Sequence, residues 1–190
     1  MKLKNYAILL SFLLGGSAFV KAQDIALKSN ILYDASGTIN LGAEVGLAPR
    51  WTLDVSGNYN GWVRSHGRTW KHWMLQPEAR YWFCDRFTGH FVGVHAHGGQ
   101  YNMGNLKNDI SFLGSDLSKL SDRRYQGWFV GAGIAYGYSW ILSRYWNVEA
   151  EIGVGYAYTR FDAYPCADCG TKLIDGKSHH YVGPTKVALN

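Results

Sequence analysis

The chain has 190 residues, of which 47% are hydrophobic, 15% aromatic and 17% charged, and its formal net charge is +5. This length suits one domain of ordinary size. Lys2, Lys4 and Lys21 lie ahead of the first strand-like segment, and without them the charge falls to +2. The composition therefore excludes a strongly basic, nucleic-acid-binding surface.

The N-terminal segment has the pattern of a secretory signal peptide. Lys2 and Lys4 precede an apolar run, Tyr6–Leu14, which is followed by small residues around Ala22. The run is too short to cross a bilayer of about 30 Å as a helix. We predict a signal peptide over residues 1–22 and one exported domain over residues 23–190.

Alternation of apolar and polar residues with period two dominates the rest of the chain, which predicts an all-β fold. We predict eight antiparallel strands: Ile25–Asp34, Thr38–Leu47, Trp51–Trp62, Lys71–Phe83, His90–Asn102, Tyr125–Trp140, Trp146–Phe161 and His179–Asn190.

The connections alternate between short and long. After a tight connection at Ala35–Gly37, short turns are predicted at Ala48–Arg50, Cys84–Gly89 and Ile141–Tyr145, and long loops at Val63–Trp70, Met103–Arg124 and Asp162–Ser178. Outer-membrane barrels combine short periplasmic turns with longer external loops in this way. The sequence therefore predicts an eight-stranded, up-and-down transmembrane β-barrel.

The polar face of the strands indicates which side points inward. It combines acids with glycines, as in Asn40, Gly42 and Glu44, whereas the other face is aliphatic and aromatic. Glycine weakens a strand without making its surface soluble, so a polar face of this kind suits a crowded interior. The large side chains then face lipid, and the tryptophans near strand ends are interface anchors rather than a sugar-binding platform.

Charged residues on this face predict a salt-bridge network that fills the interior, since eight strands leave room only for side chains. The alternative is a gated path for protons or ions. The predicted network consists of Lys28, Glu44, Glu78, Arg80, Glu149, Glu151 and Lys186.

Pro77 lies within a predicted strand, where it withholds a ladder hydrogen bond. We therefore predict a local bulge at Pro77.

Histidine and cysteine pairs raise the question of metal binding. His95 and His97 share one face of a strand, and we interpret them as interior histidines with hydrogen-bond partners rather than metal ligands. Cys166 and Cys169 lie in the last long loop, where export favours a disulfide over a zinc site. No catalytic, cofactor-binding or metal-binding residue is predicted.

Several segments resemble an uncharacterised family of outer-membrane barrels from Gram-negative gut and oral anaerobes, catalogued as a domain of unknown function. The most specific is the string QPEARYW at Gln76–Trp82. The resemblance implies a small barrel similar to the OmpA/OmpX type, often encoded near fimbrial or surface-assembly genes, and no known activity. The resembling segments are Leu27–Asp34, Trp73–Phe83, Gly89–His97, Gly127–Trp128, Gly131–Tyr138, Trp146–Glu149 and Gly183–Lys186.

We therefore expect a non-enzymatic outer-membrane barrel whose external loops, above all Met103–Arg124, bind a partner or support surface assembly. The expected partners are outer-membrane lipid, the barrel-assembly machinery and a surface or fimbrial protein. The alternative is an outer-membrane enzyme acting on lipid or lipopolysaccharide. Such an enzyme needs a serine, a histidine and an acid together, but the candidate neighbours Ser65/His66 and Ser178/His179 would point to opposite faces of a strand.

Overall fold

A computed structural model describes residues 25–64, 68–104, 124–165 and 170–190. The predicted signal peptide lies outside these residues. Within them, no helix is both long and apolar enough to cross a membrane. The elements are β1 (Ile25–Lys28), α1 (Ile31–Ala35), β2 (Ile39–Ala48), β3 (Trp51–Asn60), β4 (Val63–Arg64), β5 (Arg68–Trp82), β6 (Gly89–Gly104), β7 (Arg124–Ile141), β8 (Asn147–Tyr164) and β9 (Ile174–Leu189).

All strands belong to one antiparallel sheet. Its order is β1-β2-β3-β5-β6-β7-β8-β9, and the two-residue β4 pairs with β5. The prediction of an all-β, up-and-down fold with eight antiparallel strands is confirmed. The connections over residues 49–50, 83–88 and 142–146 lie at one end of the sheet, here called the short-turn end. β3, β6 and β8 end at the opposite edge of the sheet, where β5, β7 and β9 begin, and this edge is here called the long-loop end.

Side chains alternate between two unlike faces along every long strand. One face, the inner face, buries polar residues such as Glu44 and Glu78, and the sheet curls around it so that β5 contacts β2 and β8. The outer face exposes large apolar side chains, including Val94 and Ile134. Gln76, Glu78 and Arg80 also lie on the inner face, since all three are buried.

The first predicted strand is wrong beyond Lys28. Asn30 caps a short helix there, because its side-chain oxygen accepts a hydrogen bond from the Leu32 amide at 3.1 Å. Asparagine is among the preferred residues at a helix N-cap. Ile31–Ala35, which includes most of the second half of the predicted strand, therefore forms a single helical turn.

The last strand begins at Ile174, five residues before the predicted His179. The hairpin is extended because Asp162 accepts the Gly176 amide at 2.8 Å, and Gly176 adopts a positive φ of 61°. Lys172 adds ion pairs of 2.9 Å to Asp162 and to Asp175. These two hydrogen-bonded carboxylates raise the pKa of Lys172 above its usual range.

Pro77 does not create the predicted bulge. It pairs with Val55 in register, and the β5–β6 register is the same on both sides of it. The register instead shifts in β9, where Gly153 pairs with Lys186 and Val154 with Pro184. Thr185 is therefore the extra residue of a bulge, and both Thr185 and Lys186 reach the inner face.

The sheet is not closed by a ladder, since β1 and β9 are not paired within the described residues. The Asn30 side chain spans this seam. It donates to the Val187 carbonyl at 3.1 Å and accepts from the Leu189 amide at 3.3 Å. One side chain thus takes the place of two ladder hydrogen bonds between the first and last parts of the sheet.

We expect Asn30→Ala to lower the free energy of unfolding by about 2–3 kcal/mol, because it removes a helix cap and both hydrogen bonds across the seam. Ser29→Ala is the matched control and should change it much less, since it removes only the hydroxyl contacts to Asp34 and to the Asn40 carbonyl and leaves the helix cap and the seam intact. Urea unfolding measures both. Amide exchange at Leu189 should accelerate in Asn30→Ala only, and equal behaviour of the two variants would contradict this role.

Candidate functional site

The inner face carries an interior network of charged residues. Six strands supply them because alternate residues point inward: β1, β2, β3, β5, β8 and β9. Arg80, Glu44 and Glu78 have 0%, 0% and 1% of their surface exposed. The network consists of Lys28, Glu44, Asp54, Glu78, Arg80, Glu149, Glu151 and Lys186.

Arg80 lies at the centre of the interior network. Its Nε donates to Glu78 at 2.7 Å, and its Nη1 donates to Glu44 at 2.8 Å and to Glu149 at 3.0 Å. Its Nη2 donates to Glu151 at 2.7 Å and faces Asp54 at 3.2 Å. The planar guanidinium has five N–H donors in a fixed fork, so one side chain serves five carboxylates from four strands.

Two lysines complete the interior network from opposite sides of the seam. Lys28 on β1 pairs with Glu44 and, at 2.7 Å, with Glu149. Lys186 on β9 pairs with Glu78 at 2.6 Å and with Glu151 at 3.1 Å. The structure thus brings together all seven residues of the predicted network.

Asp54 is the member that sequence reasoning missed. It is 3% exposed and lies opposite Glu44 on β2 and Glu78 on β5 in the sheet register. The sequence does contain a signal for its inward position, because Thr52, Asp54 and Ser56 alternate with Leu53 and Val55 along the predicted third strand.

Glycines on the inner face provide the space for these side chains. A Cβ at Gly93 would overlap the Glu78 carboxylate, and one at Gly133 would meet the His95 ring. Towards the short-turn end the interior is aromatic: Trp82 stacks against Phe91 with ring centroids 4.6 Å apart, and Arg80 lies 4.6 Å from the Phe91 ring. The inner face is therefore filled from the interior network to this end.

The two histidines lie beside the interior network. His95 and His97 are buried, with ring centroids 5.7 Å apart. His95 Nε2 hydrogen-bonds the Thr185 hydroxyl at 2.9 Å, and its Nδ1 lies 3.7 Å from Glu78. No group of three or more metal-ligating side chains occurs within the described ranges.

A cavity of about 630 Å³, the outer cavity, opens at the long-loop end. Asn60, His72, Tyr101 and Phe161 lie among its walls. Its volume is within the range of small-ligand pockets, roughly 300–1,000 Å³. His72 Nδ1 is buried there without a hydrogen-bond partner, so the cavity offers polar and aromatic contacts to a bound group.

The remaining candidates lie partly outside and partly within the described residues. Cys166 and Cys169, Ser65 and His66, and most of the Met103–Arg124 loop lie outside the described residues. Cys84 is an exposed free thiol in the turn after β5. On β9, Ser178 pairs with Arg160 and His179 with Thr159, so these two neighbours lie on opposite faces.

Comparison with known proteins identifies a family. A family model described as "Protein of unknown function (DUF3575)" matches residues 8–190, so the chain belongs to this family. No curated protein and no solved structure matches the chain significantly.

We expect Arg80→Met to lower the free energy of unfolding by at least about 3–5 kcal/mol, because five buried carboxylates would then face only two lysines. Arg144→Met removes an arginine that lies over Tyr145 in an exposed turn and is the matched control. Denaturant unfolding measures both. A stability loss no larger than that of the control would contradict the central role of Arg80.

Proposed function

We propose that this member of the DUF3575 family is a non-enzymatic outer-membrane β-barrel. Its interior is filled by side chains, its outer face contacts lipid, and its long-loop end lies outside the cell and binds a surface partner. The observation that carries the proposal is the inverted distribution of polarity, with charged side chains buried on the inner face and large apolar ones exposed on the outer face.

Midway between the short-turn end and the long-loop end, the outer face exposes apolar side chains, as a lipid-facing surface does. Leu41, Val94 and Ile134 are each about 65% exposed. A shallow apolar depression of about 540 Å³ runs across the outer face, with Ala79, Val94 and Ile134 among its walls, and it would accept an acyl chain. Monomeric soluble proteins rarely expose contiguous apolar surface on this scale, whereas a membrane barrel requires it.

Aromatic residues flank this apolar surface at both ends. Trp51 and Tyr81 pair towards the short-turn end, and Tyr59 and Trp73 pair eight residues away along the same two strands. Eight residues extend about 27 Å along a strand, or about 20 Å of height once the strand is tilted. This spacing approaches the apolar band of about 25 Å between the aromatic girdles of outer-membrane barrels.

The interior favours a filled barrel over a pore. Arg80 and its five carboxylates occupy the middle of the inner face, and Trp82 and Phe91 lie below them. Charges paired across the inner face fix the strands relative to one another, and an eight-stranded interior is just wide enough for such side chains. This packing supports a scaffold or recognition role rather than diffusive transport.

The difference between the two ends supports recognition at the long-loop end. Loops on a rigid scaffold carry most binding functions, and the outer cavity opens there. The enzyme alternative receives no support from Ser178 and His179, which lie on opposite faces. Outer-membrane lipid, the barrel-assembly machinery and a surface or fimbrial protein remain the proposed partners.

We expect Ile134→Lys to lower stability in lipid by about 2–4 kcal/mol, the cost of a lysine near the bilayer midplane. Tyr145→Lys, at an exposed position in a short turn, is the matched control and should cost at most about 1 kcal/mol. Folding into vesicles at graded urea concentrations measures both. Recovery of the wild type in the soluble periplasmic fraction, or a neutral Ile134→Lys, would contradict the membrane placement.

Recognition at the long-loop end can be tested by site-specific photo-crosslinking in whole cells. A photoreactive phenylalanine analogue at Trp62, exposed at the long-loop end, should capture a surface partner, whereas the same analogue at Tyr145, exposed at the short-turn end, should not. Both proteins should fractionate with the outer membrane. Equal adducts from both positions, or adducts only from Tyr145, would contradict recognition at this end.

A further inference from the structure

We propose that the interior network is a proton-binding site, in which Glu78 and Glu151 share one proton at neutral pH. The proposal concerns the inner face alone and does not depend on which partner the long-loop end binds. Nothing in the family description assigns a ligand to these residues.

The first argument is a count of buried charges. The interior network contains the carboxyl groups of five residues but only the cationic groups of Lys28, Arg80 and Lys186, so its formal charge is −2 if every acid is ionised. An uncompensated charge away from water costs several kcal/mol. The network therefore needs further positive charge, and a proton is the smallest carrier of it.

The second argument is that the excess negative charge lies on one side of Arg80. On the Lys28 side, each carboxylate has an additional neutral donor: the Thr52 hydroxyl donates to Glu44, and the Asn190 amide donates to Glu149 at 3.2 Å. On this side, one lysine and part of the Arg80 charge balance two carboxylates. The two neutral donors supply further hydrogen bonds to the same carboxylates.

The Lys186 side lacks such donors. Asp54, Glu78 and Glu151 all converge on Lys186 and Arg80. Asp54 Oδ1 and Glu151 Oε1 are buried and accept no hydrogen bond, although the second faces the Lys186 ammonium at 3.1 Å. This side therefore has three carboxylates but only one lysine and part of the Arg80 charge, so the excess negative charge lies here.

Glu78 and Glu151 are the pair placed to share the proton. Both bind Arg80 at 2.7 Å and both contact Lys186, at 2.6 Å and 3.1 Å. Their carboxyl groups consequently lie against each other across the inner face. A proton taken from solvent onto one carboxylate forms an O–H bond that donates to the other, which lowers the formal charge of the network from −2 to −1.

Among the described residues, Lys186 and Arg80 are the lysine and arginine that face this pair. β6 contributes His95, whose buried Nδ1 has no hydrogen-bond partner and lies 3.7 Å from Glu78. β7 contributes Gly133, Ala135 and Gly137, which do not titrate. The other charged groups around the pair belong to the interior network itself: Lys28, Glu44, Asp54, Arg80, Glu149 and Lys186.

Infrared spectroscopy of the full chain at pH 7 tests the proposal directly. In a maltoside detergent, which has no ester carbonyl, the folded wild type should show the C=O stretching band of a buried protonated carboxyl group. Glu151→Gln should lose this band and keep the wild-type unfolding midpoint, since an amide can donate to Glu78 as the protonated acid does. Glu149→Gln, the matched control, should keep the band and lower the midpoint.

Other outcomes overturn the proposal. A folded wild type without the band contains no shared proton, whatever the variants do. Loss of the band in Asp54→Asn but not in Glu151→Gln would place the proton on another residue. If the band is absent and replacement of sodium and potassium by choline lowers the unfolding midpoint, a metal cation rather than a proton balances the charge.

Discussion

The buried guanidinium of Arg80 is the constraint on which the rest of the structure depends. A charge fully removed from water must have all its donors satisfied, and Arg80 meets this condition only when β2, β3, β5 and β8 surround it. The sheet must therefore curl with its polar face inward. Small residues such as Gly93 follow from the same requirement, because the acids that bind Arg80 occupy the space next to them.

The polarity of the inner face determines which side chains cover the outer face. A strand has only two faces, so residues that alternate with buried acids must cover the outside. Leu53 and Val55 flank Asp54 in this way, and both are exposed. The exposed apolar surface is thus the complement of the interior network, and the proposed placement in lipid gives that surface a solvent in which it is stable.

The sequence predicted the fold well where period two is unbroken. β7 and β8 fall within a few residues of prediction, and the inward position of Glu149 and Glu151 follows from alternation alone. The failures come from interactions that a period-two pattern does not encode. Asn30 caps a helix through a local hydrogen bond and also binds β9 across the seam. Pro77 stays in register, whereas a bulge at Thr185 brings both Thr185 and Lys186 to partners on the inner face.

The seam between β1 and β9 has a consequence for how the chain reaches its native state. Lys28 lies near one end of the described chain and Lys186 near the other, yet both bind acids around the same arginine. A partly formed sheet without its last strand would leave Glu78 and Glu151 with Arg80 alone. In such an open sheet the acids stay hydrated, and burying them is favourable only once Lys186 is in place. We therefore expect the interior to close cooperatively, with the final strand completing it.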